Sequence, residues 1–464
     1  MPLRTPATAL VPFLRSSRLL RPVYALPGLA ARWGMAGALG LGGLLPAAAL
    51  AQTAPALPPP ASVTLDALGL MQGFLPPPDK RVDLSNSGKY PQMRWTLQHL
   101  RELKPTQSIR RGNQPVSALT EAALPLGDMQ FVSDKGQPIT VNQWLDSTYT
   151  DALVVLHKGK VVFERYQNQM QPASPHLLFS VTKSFTGLMA AQLAHDGKLD
   201  PEALVTKYLP ELASSAWGDM TVRQVMDMTG AVRFREVYTD PTSEVFGYSL
   251  ASGLMERPPG YQGAANVYDF LKTLPKEGTH GEGFVYRTVH SEVLGWIVSR
   301  VTNRRWSDLM SEQLWQKMGM QEDAYVMVDS AGTPLQGAGL NATARDLARV
   351  GEMLRLGGRF NGQKIFDQAV VDDIRKGGDR EKFKFGGIQA ARPGYSYRNQ
   401  WWALHNADGA YEAAGIHGQF IHVNPKAEMV VIKLSSHPMA AAAYTHALTL
   451  KAWAALADAV RDKP

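Results

Sequence analysis

The segment LLFSVTKSFTGLMAAQLAHDGKLD, Leu177–Asp200, decides the fold. Apolar residues recur at helical spacing after Ser180, and Gly197 supplies a stop signal. These apolar residues are Phe185, Leu188, Met189 and Leu193. The spacing predicts a buried amphipathic helix that Ser180 opens, with Lys183 one turn later on the same face.

A serine one helical turn before a lysine is a candidate nucleophile with its proton acceptor. The Ser180 hydroxyl would attack, Lys183 would help to move its proton, and the positive potential of the helix N-terminus would favour the alkoxide. A free lysine is not a base at neutral pH without burial or a neighbouring charge, and the same holds for a tyrosine. The ordinary alternative is a serine N-cap with an incidental lysine.

Two later segments complete a candidate acyl-transfer site. FVYRT places Tyr286 in a loop just before a predicted helix, where a phenol could move a proton. GIHGQ, Gly415–Gln419, is a Gly-flanked strand whose backbone N–H groups could hold an oxyanion. The ordinary alternatives are an aromatic anchor at a helix start and a glycine-relieved strand end.

The remaining pattern predicts an α/β (α+β) fold: an antiparallel sheet flanked by helices, assembled from both ends of the chain, with an inserted all-helical subdomain at roughly 200–400. The segment Ala152–Tyr166 is typical of a β-hairpin around Lys158-Gly159-Lys160. Helical patterns lie at Thr221–Thr229, Val289–Val301, Thr343–Leu356 and Ala440–Val460, and strand patterns at Asn399–His405, Gly418–Val423 and Met429–Leu434. The neighbours Arg345 and Asp346 are expected to form a structural ion pair with each other.

The N-terminus has the pattern of an export signal. Residues 1–51 carry five arginines and no acidic residue, then an apolar run and Ala49-Leu50-Ala51. We therefore expect a signal peptide at 1–51, a Pro-rich linker at 52–62, an N-terminal lead-in at 63–130 and the main domain at 131–464. The protein would be periplasmic or secreted; a retained anchor or an apolar N-terminal helix of the fold are the alternatives.

Composition excludes several classes of function. The net charge is +7, but five of these charges belong to residues 1–51, so the remainder carries +2 and offers no basic face for nucleic acid. The chain has no cysteine, which removes thiol nucleophiles and cysteine-ligated metals. The 11 histidines show no metal-binding spacing, and no nucleotide-binding glycine motif stands in a strand–helix context. We expect no cofactor and no metal.

From about Leu68 to the C-terminus the chain resembles the class C β-lactamase-like branch of the penicillin-recognising serine hydrolases. Within that branch it is most similar to the 6-aminohexanoate-dimer hydrolases, which cleave a linear amide. The matching segments are LMQGFLPPPDKRV, YPQMRWTLQHLRELKPT, LLFSVTKSFTGLMAAQLAHDGKLD, TVRQVMDMTGAVRFREVYTDP, FVYRTVHSEVLGWIVSRVT, GLNATARDLARVGEML and AAGIHGQFIHVNP. The resemblance implies an α/β domain and an all-helical domain with the active site between them.

The resemblance also implies roles at the site. Tyr286 would relay the serine proton to the leaving group, and the oxyanion would be held by the N–H groups of Ser180 and Ile416. Alignment with the β-lactamases would choose the N–H of Gln419 instead of Ile416. The second motif ends in Thr288 where the family usually has Asn or Ser, which removes an amide.

The third motif departs further from the β-lactamase pattern. Penicillin-binding proteins have Lys-Thr-Gly there, whereas this chain has Ile416-His417-Gly418, so a cation would exist only on protonated His417. That argues against efficient turnover of β-lactams or D-Ala-D-Ala peptides. On the substrate side, Glu236 and Tyr238 match positions that contact the substrate amine and amide, and Trp402 matches an aromatic wall.

The sequence therefore predicts an exported serine hydrolase that cleaves a linear amide or an ester through an acyl-enzyme on Ser180. Its partner would be a small-molecule substrate, not nucleic acid, without stable membrane insertion once the signal is cleaved. The alternatives are a D,D-peptidase or esterase of the same fold, a non-catalytic penicillin-binding-like protein, and a membrane-tethered structural protein. Residues around Glu236–Leu254 have a loop-like pattern and are the candidate for a lid.

Overall fold

A computed structural model describes residues 57–238, 240–385, 392–440, 443–461 and 463. The predicted signal peptide at 1–51 and residues 52–56 of the predicted linker lie outside the described residues. The described helices are α1 Leu65–Leu68, α2 Met93–Leu103, α3 Val141–Ser147, α4 Val181–His195, α5 Val222–Met226, α6 Glu244–Ala251, α7 Val267–Lys272, α8 Thr288–Thr302, α9 Trp306–Met310, α10 Gln316–Met318, α11 Ala344–Arg355, α12 Gln368–Lys376, α13 Arg380–Phe383 and α14 Ala443–Arg461. The described strands are β1 Thr106–Ile109, β2 Gln130–Val132, β3 Pro138–Thr140, β4 Thr150–His157, β5 Lys160–Tyr166, β6 His176–Leu177, β7 Ala324–Met327, β8 Leu340–Ala342, β9 Arg359–Phe360, β10 Gln363–Lys364, β11 Ser396–Arg398, β12 Trp401–Ala403, β13 Tyr411–Gly415, β14 Gln419–Asn424 and β15 Met429–Ser435.

The main sheet joins the two ends of the chain, as the sequence predicts. Its order is β11-β12-β13-β14-β15-β4-β5, and every neighbouring pair is antiparallel. The predicted hairpin is confirmed as β4 and β5, joined by a turn in which Lys158 and Gly159 have φ of 49° and 77°. The antiparallel fold class is therefore confirmed.

Helices cover both faces of the main sheet. Side chains of β4 alternate between two cores: Val154 packs in the core that includes α4, α8 and α11, and Val155 packs in the core that includes α3 and α14. Because both faces of β4 are buried, its residues 152–156 form an unbroken apolar run. The site described below lies where α4 meets β13.

The segment predicted to be helical, 200–400, also contains strands. It holds α5 to α13 together with β7 and β8, which pair with β1 and β6 in a second sheet ordered β1-β7-β8-β6. Through β1, the predicted lead-in supplies an edge strand to that sheet. Secondary structure in these short strands depends on distant partners, so local periodicity does not reveal it.

Two sequence predictions are wrong. The lid candidate is not a loop throughout, because Glu244–Ala251 is helix α6, and its Tyr248 is buried and bonded to Glu292 on α8. Arg345 and Asp346 do not pair with each other. As sequence neighbours they point to different partners on the helix: Arg345 pairs with Glu164 and Glu121, and Asp346 pairs with Arg349.

A buried arginine ties the lead-in to the main sheet. Arg94 on α2 donates to Asp151 Oδ1 at 3.2 Å, to the Ser436 hydroxyl at 2.9 Å and to the Val63 carbonyl at 2.7 Å. Burial raises the pKa of Asp151, but a hydrogen bond with His176 and the charge of Arg94 outweigh it and hold that pKa below its usual value. The carboxylate, which is fully buried, therefore depends on these partners.

Replacing Arg94 with Met is expected to lower the free energy of unfolding by about 3–5 kcal/mol, because it strips a buried carboxylate of a charged partner. Urea unfolding at pH 7 measures this. The difference from wild type should shrink as the pH falls below the value of an unfolded aspartate, near 3.9, since a group with a depressed pKa stabilises the fold only while ionised. Arg110→Met, at an exposed arginine, is the matched control; equal losses in both variants would contradict the assignment.

Candidate active site

The structure brings Ser180 and Lys183 together at the start of α4. Ser180 is the residue before the first helical residue, Val181, and the preceding Phe179 has a strained φ of 45°. The Lys183 side chain is 1% exposed, and its Nζ lies 3.0 Å from Ser180 Oγ. The second hydrogen bond of Nζ runs to the Gly337 carbonyl at 2.7 Å. The lysine is thereby fixed beside the hydroxyl.

Burial favours the unprotonated form of the Lys183 amine. Desolvation lowers its pKa below the ordinary lysine value, and the carboxylates of Glu236 and Glu292 work in the opposite direction. A hydrogen bond joins this amine directly to Ser180 Oγ, so Lys183 is the candidate base for the hydroxyl. The arrangement can take a proton from the hydroxyl.

Tyr286 closes the other side of the hydroxyl. It lies two residues before α8, and Lys183 Nζ lies 5.4 Å from its ring centroid. Burial raises the pKa of Tyr286 above the ordinary value, and a hydrogen bond with Ser180 lowers it only in part. The phenol is therefore neutral at pH 7 and can donate a proton, and Lys183 is the better base.

The aromatic wall predicted at Trp402 lies behind Tyr286. The two rings are stacked, with centroids 5.4 Å apart and planes at 19°, and the Arg392 guanidinium lies 4.3 Å from the centroid of the Trp402 ring. Tyr397 adds an edge contact to Tyr286 at 6.0 Å. Since Trp402 is only 3% exposed, these contacts make it a support for the phenol; its substrate-binding role stays a prediction.

The third motif forms the turn between β13 and β14, next to the backbone of Ser180. A Cβ built on Gly415 would lie 3.2 Å from Ser180 N and 2.6 Å from the Leu178 carbonyl oxygen. Only a residue without a side chain allows β13 to end this close to the start of α4. The N–H of Ser180 and the chain entering Ile416 therefore border one small space.

The side chain of Gln419 holds the turn between β13 and β14. Its side chain donates to the Ser435 carbonyl at 2.6 Å and to the Ile416 carbonyl at 3.2 Å, and it accepts from Ser435 N at 3.1 Å. It is fully buried and pins the turn to β15. Both predicted donors adjoin the glycine that touches Ser180: Ile416 follows Gly415 in the chain, and Gln419 pairs with Gly415 across the turn, its Cβ 3.2 Å from a Cβ built on Gly415. Both roles stay predictions.

His417 is held inside the turn. It has a φ of 62°, is 8% exposed, and its Nδ1–H donates to the His437 carbonyl at 2.7 Å. Burial lowers the pKa of His417 to about 4, so its ring is neutral at pH 7. Ile416 takes the position of the lysine in penicillin-binding proteins and the adjacent His417 is neutral, so neither residue supplies a cation there at pH 7. The substrate-binding role of His417 stays a prediction.

The two predicted substrate residues on the Glu236 loop contact each other and α8. The Glu236 carboxylate accepts the backbone N–H of Thr288 and, at 3.1 Å, the hydroxyl of Tyr238. The Tyr238 side chain is 39% exposed, in contrast to the buried aromatic residues behind Tyr286. This loop presents a carboxylate and a phenol close to Tyr286, and their contacts with substrate stay predictions.

Three features of this site were not predicted from the sequence: the roles of Gly337 and Glu292, and the close backbone contact of Gly415 with Ser180. An acidic residue inside the apolar stretch VHSEVLGWIV, with Glu292 six residues after Tyr286, was the one available signal. No local pattern marks Gly337, because its role comes from a contact across 154 residues. Within the described residues, no group of three His, Asp or Glu side chains is arranged to hold a metal ion.

Comparison with known proteins agrees with this geometry. The β-lactamase family model matches residues 145–452, so the chain belongs to the β-lactamase family, whose members are serine hydrolases. The chain is 38% identical over 353 residues to the 6-aminohexanoate-dimer hydrolase of Paenarthrobacter ureafaciens. The aligned region covers 75% of this chain and 86% of that protein.

Solved structures show the same fold. A Bacillus anthracis protein, provisionally named as a 6-aminohexanoate-dimer hydrolase, has a structure that matches with a TM-score of 0.76 and 29% identity. The match covers 84% of this chain and 100% of that one. A penicillin-binding protein homologue from Caulobacter crescentus matches with a TM-score of 0.51 and 15% identity, over 68% and 96% of the two chains. The chain is thus a β-lactamase-fold hydrolase related to 6-aminohexanoate-dimer hydrolase.

Proposed function

We propose that this protein is an exported, cofactor-free serine hydrolase that cleaves a linear amide like the 6-aminohexanoate dimer, or an ester, through an acyl-enzyme on Ser180. The observation that carries the proposal is the 3.0 Å contact between Ser180 Oγ and the buried amine of Lys183. The 38% identity to a named 6-aminohexanoate-dimer hydrolase supports the choice of amide.

The proposed reaction has two halves. Ser180 Oγ attacks the carbonyl carbon as Lys183 takes its proton, and the N–H group of Ser180 stabilises the oxyanion together with that of Ile416 or Gln419. When the tetrahedral intermediate collapses, Tyr286 protonates the leaving nitrogen or oxygen and recovers a proton from Lys183. Water then attacks the acyl-enzyme with the same groups acting in reverse.

The charge of the site supports a substrate with a cationic end. The Glu236 carboxylate accepts one hydrogen bond on each oxygen and keeps lone pairs for a third donor. An ammonium group, such as the free amine of a 6-aminohexanoate dimer, supplies that donor. Glu236 and Tyr238 are proposed to bind it.

The test is hydrolysis of 6-aminohexanoate dimer by the mature protein, followed by amine release, with Ser180→Ala as the comparison. Ser180-dependent release supports the amide substrate. If p-nitrophenyl esters of short acids are cleaved and the dimer is not, the protein is an esterase of this fold. If neither is cleaved by folded protein, the hydrolase proposal is wrong.

Tyr286→Phe is expected to slow amide cleavage by about 10²–10⁴-fold and to slow p-nitrophenyl ester cleavage much less. The reason is that an amine must be protonated to leave, whereas p-nitrophenolate leaves as the anion. The ratio of the two kcat/KM values measures the effect, with Tyr261→Phe as a control in a loop outside the site. Equal losses on both substrates would contradict the role of proton donor.

The D,D-peptidase alternative predicts capture of penicillin. Because Ile416 stands where penicillin-binding proteins carry a lysine, and the adjacent His417 is neutral at pH 7, we expect benzylpenicillin to leave no acyl adduct on Ser180. Intact-mass spectrometry after incubation with excess drug measures this. A stable adduct of one drug per chain would favour the peptidase.

Export is proposed from residues 1–51 alone. No helix among the described residues is long and apolar enough to cross a membrane. N-terminal sequencing of protein secreted from a native-like host tests the proposed cleavage after Ala51. A mature chain that begins at residue 1 in the membrane fraction would favour the tethered alternative.

A further inference from the structure

A buried carboxylate lies behind the candidate active site, and the reaction proposed above does not use it. Glu292 is on α8, six residues after Tyr286, and is 0% exposed. Its carboxylate accepts three hydrogen bonds: from the Tyr248 hydroxyl at 2.6 Å, from Gln336 N at 3.0 Å and from Gly337 N at 3.0 Å. Burial raises the pKa of Glu292 to about 7, and these three donors oppose that shift by stabilising the anion.

The two backbone groups that Glu292 holds belong to a bridge between α8 and α4. The N–H groups of Gln336 and Gly337 point to Glu292, and their carbonyls point to α4. The Gln336 carbonyl accepts from the Thr186 hydroxyl at 2.8 Å, and the Gly337 carbonyl accepts from Lys183 Nζ at 2.7 Å. One dipeptide thus connects the carboxylate to the lysine.

The fit around this bridge is close. A Cβ built on Gly337 would lie 2.9 Å from Glu292 Oε1 and 3.0 Å from Thr288 Cγ2. Position 337 therefore has no room for a side chain, and the Gly337 carbonyl is fixed relative to α8. The rotamer of Lys183 that reaches Ser180 depends on that carbonyl.

We propose that Glu292 is a positioning residue for the candidate active site: it fixes the Gln336–Gly337 bridge that orients Lys183, and its negative charge sets how readily Lys183 gives up its proton. The inference rests on the proposed function, in which Lys183 is the base for Ser180. Glu292 itself touches neither Ser180 nor a substrate in this account.

The charges around the pair determine the expected sign. The carboxylates of Glu236 and Glu292 both raise the pKa of Lys183, and the Lys183 amine also faces the ring of Tyr286. Glu292 faces Tyr248 on α6 and Tyr268 on α7, both of which are neutral phenols because burial raises their pKa values. Loss of the charge at 292 must therefore lower the pKa of Lys183, so the base form persists to lower pH.

The test is the pH dependence of kcat/KM for a p-nitrophenyl ester, measured on the full mature protein. For Glu292→Gln we expect the acid limb to move to lower pH by about one unit or more, since a neighbouring opposite charge shifts a pKa by about 1–3 units. The plateau value of kcat/KM should also fall, because the NH₂ group of the introduced amide cannot accept a hydrogen bond from the Gln336 N–H. Glu292→Asp keeps the charge, so its limb should stay closer to that of wild type.

Two further variants keep the test decisive. Tyr248→Phe removes one hydrogen bond that stabilises the carboxylate anion, and it should move the limb in the same direction by less, even if Glu292→Gln fails to fold. Glu282→Gln, at an exposed carboxylate in the loop before Tyr286, is the matched control and should leave the limb in place.

The outcomes separate the two claims. If wild type shows no Ser180-dependent acylation, the proposed function fails and this inference fails with it. If wild type acylates on Ser180 but the acid limb is unchanged in both Glu292→Gln and Tyr248→Phe, the proposed function survives and the role of Glu292 is overturned. A shifted limb in either variant, with an unshifted control, supports it.

Discussion

Replacing Lys183 with Met should lower kcat/KM for a p-nitrophenyl ester by about 10²–10⁴-fold, the range that a positioned base contributes. Met has nearly the same length and volume but cannot take the Ser180 proton. The ester is the right substrate because its leaving group needs no proton, so the loss reports on activation of the serine. Stopped-flow release of p-nitrophenol measures it.

Stability separates this effect from damage to the fold. A buried amine is costly to desolvate, so Lys183→Met should change the free energy of unfolding by less than about 1.5 kcal/mol, as for other volume-conserving replacements. Lys198→Met, at a lysine that is 64% exposed just after α4, is the matched control and should keep full activity. Full turnover by Lys183→Met would contradict its assignment as the base.

Gly415→Ala should lower kcat by about 10²–10³-fold, the cost of losing one oxyanion donor. The added Cβ would lie 2.6 Å from the Leu178 carbonyl oxygen, a distance that real Cβ atoms do not occupy, so β13 must move away from the start of α4. Because the clash involves backbone on both sides, no side-chain rotation relieves it. Steady-state kcat with the ester, at saturating substrate, measures the loss.

The control for Gly415 is another glycine with ordinary backbone and free space. A Cβ built on Gly88 meets nothing within 4 Å, and its φ is not in the left-handed region. Gly88→Ala should therefore leave kcat unchanged. If Gly415→Ala folds and retains wild-type kcat, the N–H groups bordering that space are not the oxyanion site.

Elements with a strong local pattern were predicted well from the sequence. The helix after Ser180 is confirmed as Val181–His195, and the hairpin at 152–166 is confirmed as β4 and β5. In both cases the apolar spacing and a nearby glycine determine the structure locally. The predicted helix at Val289–Val301 is likewise confirmed as Thr288–Thr302.

Elements that depend on backbone geometry were predicted less well. The strand expected at Asn399–His405 is shorter, Trp401–Ala403, because Asn399 and Gln400 have φ of 49° and 65° and form a turn. Apolar alternation does not reveal a positive φ at residues other than glycine. The same limit applies to His417, whose φ of 62° places it in a turn.

The site itself divides in a similar way. Ser180 and Lys183 are one helical turn apart, so their contact follows from the sequence spacing. The contacts of Gln419 with Ser435, and of Glu292 with Gly337, join segments that are distant or lie on different elements. Tertiary packing alone determines them, and motif spacing carries no information about it.

The measurement that tests the central claim most directly is a pre-steady-state burst of p-nitrophenol from a short acyl ester, with intact-mass spectrometry of the quenched protein. The account predicts a burst near one equivalent and one acyl group on Ser180, both absent in folded Ser180→Ala. A burst and an adduct that persist in Ser180→Ala, or folded wild-type protein that gives neither, would contradict it.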